Sequence, residues 1–207
     1  MVCSGTPLSA SATPSASRYA LLSALVLALL VATLNMGLWW WSNLPHGPAD
    51  WHGPISGFAF SPFRRYQSPL TGDFPSDAQI EADLKLVSRY SPNIRTYSML
   101  QNPQVPRLAE RYGLKVMAGA WIDRRLDNNE QEVAALIGQA RRYPGTITRA
   151  IVGNEVLLRE DVTPQQLMIY LDRVRAALHQ PVSTAEPWHI WEKYPELVEH
   201  VDFIKIG

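Results

Sequence analysis

From Ala20 to Trp41 the chain carries no charged residue. Wound as an α-helix at about 1.5 Å per residue, this run of roughly 22 residues reaches about 33 Å, the depth of a bilayer's hydrocarbon core. A helix that is apolar on every side has no place on the surface of a water-soluble domain, so a transmembrane helix over 20–41 is expected. Its polar interruptions, Ser23, Thr33 and Asn35, are mild, since hydroxyls can bond back to their own helix. Trp39, Trp40 and Trp41 close the run, and indole rings favour the headgroup layer. A cleaved signal peptide is the rival reading, but its apolar part is shorter, about 7–15 residues, and ends in small residues rather than tryptophans. An uncleaved single-pass anchor is therefore expected. Arg18 flanks its N-terminal side, and the next Lys or Arg after Trp41 is Arg64. That asymmetry places the N-terminus inside and the main domain outside the cytoplasm, at the cell membrane. Residues 1–19, rich in Ser, Ala, Thr and Pro, read as a disordered tail, and 42–54 as a Pro- and Gly-bearing linker.

The remainder has the makings of a folded domain: the whole chain is 46% hydrophobic and 18% charged. Lys plus Arg and Asp plus Glu both number 19, so no broad field attracts phosphates, and nucleic acid is excluded as a partner. Cys3 is the single cysteine and can form no intrachain disulfide. The histidines, His46, His52, His179, His189 and His200, show no ligand spacing, so neither a metal nor another cofactor is expected.

Short apolar runs alternate with amphipathic ones. Candidate strands are Gly57–Ser61, Asn93–Ser98, Leu114–Trp121, Ile147–Asn154, Val182–Ala185 and Val201–Ile206. Helices are expected between them. Ser76 with Gln79 has capping-box spacing, Asn129–Tyr143 places Val133, Leu136, Ile137 and Ala140 on one side, and Thr163-Pro164-Gln165-Gln166 opens a third. Such alternation implies parallel strands covered by helices, as an open doubly wound sheet or as part of a barrel. Gly57 to Arg64 contains no G-x-G-x-x-G, which weakens a nucleotide-binding reading.

In a (β/α) barrel, functional groups gather where strands run into their following loops. Those positions read Ser61-Pro62-Phe63, Tyr97-Ser98, Trp121-Ile122-Asp123, Asn154-Glu155 and Glu186-Pro187-Trp188. Aromatic faces suit the C–H side of a sugar ring, while amides and carboxylates bond its hydroxyls. Trp121, Trp188 and Glu186 are accordingly candidate sugar contacts. Glu155 follows the apolar run Ala150-Ile151-Val152-Gly153, where desolvation would favour a protonated carboxyl and hence a general acid. Asn154 beside it can donate to a sugar 2-hydroxyl, a contact that strengthens in an oxocarbenium-like transition state.

Taken in order, Gly57-Phe58-Ala59-Phe60-Ser61-Pro62, Ile94-Arg95-Thr96-Tyr97, Lys115-Val116-Met117-Ala118-Gly119, Ile151-Val152-Gly153-Asn154-Glu155-Val156 and Val201-Asp202-Phe203-Ile204 resemble successive strands of glycoside hydrolase family 17. These are the β-1,3-glucanases and related glucanosyltransferases, and the likeness is to bacterial membrane-associated members. The resemblance implies an α/β fold over 55–207, an incomplete (β/α)8 TIM-type barrel of about six strand–helix units. It implies retaining double displacement on β-1,3-linked glucan, with Glu155 as acid/base and Tyr97 lining the sugar site. The family's nucleophile is a Glu ending the seventh strand, and no residue before Gly207 matches it. Read as a C-terminally truncated domain, the chain alone is expected to be inactive. The alternative is a non-catalytic or vestigial membrane-anchored glucan-binding fragment.

Overall fold

The computed structural model describes residues 14–44, 47, 53 and 55–206. The chain divides into two units, Met1–His52 and Gly53–Gly207. The first is built on helix α1, Pro14–Ser42. It begins inside the stretch expected to be a disordered tail. A proline's fixed φ suits a first helical turn, and Ser15-Ala16-Ser17 contains no breaker. Residues 1–13 and most of the expected linker lie outside the described residues. Within α1, an 18-residue stretch of Arg18–Ser42 has a mean hydropathy of 2.3 with none of it buried, and among the described residues this is the one helix long and apolar enough to cross a membrane. The Ser23 and Thr33 hydroxyls donate to the Tyr19 and Leu29 carbonyls at 2.8 and 2.7 Å, so neither leaves a polar atom unpaired.

The second unit is a curled six-stranded sheet in strict chain order, β1 (Phe58–Ala59), β2 (Asn93–Arg95), β3 (Lys115–Ala120), β4 (Ile147–Asn154), β5 (Val182–Glu186) and β6 (Lys205–Ile206). Each neighbouring pair is parallel. The architecture is therefore the expected incomplete TIM-type barrel. The middle strands carry it: Ile147, Ala150, Ile151 and Val152 of β4 are all buried, as befits a strand covered on both faces. β2 and β3 approach so closely that a Cβ on Gly119 would sit 2.5 Å from the Thr96 carbonyl oxygen.

Helices α2 (Asp77–Val87), α3 (Val105–Glu110), α4 (Leu126–Arg142), α5 (Pro164–Ala177) and α6 (Trp188–Lys193), with a 3-10 turn at Pro195–His200, fill the connections. α5 begins with a reciprocal capping box: Thr163 Oγ1 accepts from the Gln166 N–H at 3.2 Å, and the Gln166 side chain accepts from the Thr163 N–H at 2.8 Å. At α2 only half of the box forms. Ser76 accepts from the Gln79 N–H at 3.3 Å, but the Gln79 side chain turns to the Pro62 carbonyl at 2.7 Å and pins the loop after β1. Helix stripes face the sheet as their spacing predicts: Ile80 and Leu84 from α2, Val133, Leu136 and Ala140 from α4, and Leu167, Leu171 and Val174 from α5 are buried. Each of the Ile, Leu and Val side chains among these contributes about 1.5–3 kcal/mol relative to exposure. The last strand is shorter than expected, and ahead of it the Asp202 carboxylate accepts the Val182 N–H at 2.8 Å and pairs with Arg175 at 2.9 Å.

Candidate active site

The C-terminal ends of β1 to β4 surround a cleft of about 830 Å³. Phe63, Tyr97, Trp121 and Asn154 contribute to its walls, together with Gln101 and Glu132. Three sequence candidates, Tyr97, Trp121 and Asn154, thus share one cavity. Tyr97 and Trp121 are half-buried, with a face left for a ligand.

Each is held from behind by a cation. The Arg95 guanidinium stands 5.0 Å from the Tyr97 ring centroid, and Arg159 stands 4.7 Å from that of Trp121. Arg95 Nη2 also donates to Asn154 Oδ1 at 2.7 Å. Arginine only donates, so this bond fixes the carboxamide with its oxygen toward Arg95 and leaves its N–H donors to other partners. Burial pushes the Arg95 guanidinium down from its usual range, while the nearby Tyr97 and Glu155 favour its charge.

Glu155 sits where the chain leaves β4. The turn that carries it is left-handed at both Gly153 (φ 82°) and Glu155 (φ 53°). A Cβ on Gly153 would lie 2.3 Å from Val156 Cγ2, so only glycine fits there. The Glu155 N–H donates to the Ala185 carbonyl at 2.7 Å, joining the turn to β5. Glu155 is half-buried and stands next to Asn154 rather than among the residues that line the cleft.

Two sequence candidates lie elsewhere. Trp188 opens α6 and is 66% exposed, edge-on to His189 at 5.8 Å between centroids, and is not part of the cleft wall. Glu186 ends β5 pointing inward and is completely buried. Its oxygens accept the N–H groups of Leu157 at 3.0 Å and Leu158 at 3.4 Å. Glu186, expected as a sugar contact, thus has its oxygens bonded to backbone and no exposed surface. Burial raises its carboxyl above the usual range, opposed by these backbone bonds and by Arg159.

A second buried carboxylate, Glu132 of α4, was not singled out from sequence. One oxygen accepts the Ser98 hydroxyl at 2.6 Å and the other the Trp121 N–H at 3.2 Å, so it ties the ends of β2 and β3 together behind the cleft. Burial raises its carboxyl as well, against the bonds from Ser98 and the backbone. Its position one turn into a helix, among Asn129, Glu130 and Gln131, reads from sequence as a solvated face. Among the described residues, no group of three or more His, Cys, Asp or Glu is placed to hold a metal ion.

The BtgE/BtgC glycoside hydrolase domain matches residues 57–206. Among solved structures, a glycoside hydrolase family 17 β-1,3-glucanosyltransferase from Rhizomucor miehei is 25% identical, with a TM-score of 0.61 over 74% of this chain and 56% of that one. An active-site mutant of the Rhizomucor miehei enzyme in complex with laminaritriose is 24% identical, with a TM-score of 0.63 over the same shares. An endo-laminarinase from Formosa Hel1_33_131 is 18% identical, with a TM-score of 0.64 over 73% of this chain and 49% of that one. The chain spans about half the length of these solved relatives. No curated protein matches it by sequence. The match over 57–206, in the fold and strand order of the family 17 relatives, establishes that the chain belongs to the BtgE/BtgC glycoside hydrolases, within the glycoside hydrolase family 17 type.

Proposed function

We propose that this chain acts on β-1,3-linked glucan, by hydrolysis or by transfer to a second sugar, with Glu155 as the acid/base carboxyl of a retaining double displacement. The observation that carries the reading is the junction of β4 with the cleft: Asn154 presents its amide to the cavity from a fixed orientation, and Glu155 follows it on a rigid turn. Tyr97 and Trp121 supply flat apolar faces for the rings of the glucan. Glu155 protonates the glycosidic oxygen as the bond breaks. It then takes the proton from the attacking acceptor, which is water in hydrolysis or a sugar hydroxyl in transfer. Retention requires a second carboxylate about 5–5.5 Å away as nucleophile, and no residue of this sequence is assigned to it. The family 17 relatives support the substrate class, since one is named an endo-laminarinase and another is complexed with laminaritriose.

The apolar helix α1 fits the same reading, as a single-pass anchor that holds the domain outside the cytoplasmic membrane, close to cell-surface glucan. The test uses the full chain in detergent with laminarin and laminaritriose. Joined to a family 17 seventh and eighth strand–helix unit that bring the nucleophile Glu, the chain should release reducing sugar and transfer products, and Glu155→Gln should lower both about 10²–10⁴-fold while laminaritriose still binds. Trp121→Ala and Tyr97→Ala should weaken that binding instead. Cleavage that survives Glu155→Gln, or binding indifferent to both aromatics, refutes the reading.

A further inference from the structure

The turn that carries Glu155 is unusual backbone. Left-handed φ at a non-glycine residue costs of order 1–3 kcal/mol and persists only where its surroundings hold it. At Glu155 the hold comes from β5. Ala185 accepts the Glu155 N–H at 2.7 Å, and the side chain of the next residue, Glu186, accepts the N–H groups of Leu157 and Leu158. Glu186 is itself anchored, since its main-chain oxygen accepts the Trp191 indole N–H at 3.2 Å. A buried carboxylate is costly unless its oxygens are bonded, and bonds to the ionised form are roughly twice as strong as neutral ones. Its position beneath the turn, with no exposed surface, leaves this contact as its role.

We propose that Glu186 is the positioning residue of the acid/base carboxyl: it gathers the N–H groups that follow Glu155 and so holds Glu155 at the cleft end of β4. This rests on the reading of Glu155 as acid/base. Burial raises the Glu186 carboxyl above its usual range, opposed by the groups that face it, the N–H groups of Val156, Leu157 and Leu158 and the Arg159 guanidinium. Arg159 supports the same turn from its other side, donating to the carbonyls of Asn154 and, at 3.1 Å, of Ile122, and pairing with Asp161 at 2.7 Å.

The experiment takes the full chain in detergent micelles and measures hydrogen–deuterium exchange of amides 156–158, corrected for intrinsic exchange. In Glu186→Gln these amides should exchange about tenfold faster or more, as the loss of a bond to a charged group implies. The position of Glu155 is read with an epoxyalkyl laminari-oligoside. A well-placed carboxylate opens the epoxide to form an ester, and the released alkoxide takes a proton from water. Esterification of Glu155 should be about tenfold slower or more in Glu186→Gln, at unchanged affinity for laminaritriose. Equal exchange and equal labelling in the two proteins overturn the proposal. If Glu186→Gln does not fold, Glu186→Asp takes its place, and exchange of 156–158 equal to the wild type in that variant overturns the proposal. If exchange behaves as expected but wild-type Glu155 is never esterified, it is the acid/base reading that fails and not the hold of Glu186 on the turn.

Discussion

Single side chains in this domain are tied to backbone geometry that tolerates no substitute. Gly153 combines a φ of 82° with a neighbour 2.3 Å from any added Cβ. Gly153→Ala should therefore destabilise the domain by about 1–3 kcal/mol, read from urea midpoints. Gly138 is the control of opposite sign. It is exposed on α4 with nothing within 4 Å of an added Cβ, so Gly138→Ala should stabilise by about 0.5–1 kcal/mol. Equal effects from the two would show that backbone conformation does not govern either site. Polar residues follow the same logic. Glu186 reads from sequence as a sugar ligand because a carboxylate after a strand has the right chemistry. That it turns inward to meet the backbone of another loop is a fact of three-dimensional packing that no local pattern encodes. Arg95 and Arg159 escape a sequence reading for the same reason, since a guanidinium behind an aromatic ring is indistinguishable along the chain from one in water.

Among elements, legibility follows length and burial. β4 spans Ile147–Asn154 as the sequence predicts, because its apolar run is long and unbroken, and α5 begins at its capping box because that signal is local. The short helices α3 and α6 and the 3-10 turn go unseen, six residues each being too few to show a period. α4 starts at Leu126, ahead of the expected Asn129, because Asn129 is a buried brace and not a cap: its amide donates to the Asp123 carbonyl at 2.7 Å, and its oxygen accepts the Asp123 N–H at 2.9 Å. Helix α4 also carries a pH-dependent tie between two strands. A carboxyl raised in the folded state, as Glu132 is, binds more protons folded than unfolded. Its contribution favours the fold at low pH and is lost as pH rises from about 4.3 through the raised folded value. The stability of the wild type relative to Glu132→Gln should thus decline with rising pH over that window. Urea midpoints at a series of pH values check this, and a difference that grows with pH would contradict the burial of an ionisable Glu132.

At the scale of the whole molecule, an apolar helix and a domain of the BtgE/BtgC glycoside hydrolase family share one chain. If α1 anchors the domain outside the membrane, the chain should stay with membranes through alkaline carbonate washing, and reporters fused after Pro48 and after Gly207 should both be active only outside the cytoplasm. Cytoplasmic activity from both would reverse the topology. The order of the sheet adds a kinetic consequence. Every strand pairs only with the one before it and the one after it. No strand has to wait for a distant stretch of sequence before it finds a neighbour, so the contact order stays low for a parallel sheet and loop closure is inexpensive at each step. A chain of this kind can build its sheet in the order in which it is synthesised, each strand–helix unit docking on the edge left by its predecessor as it emerges.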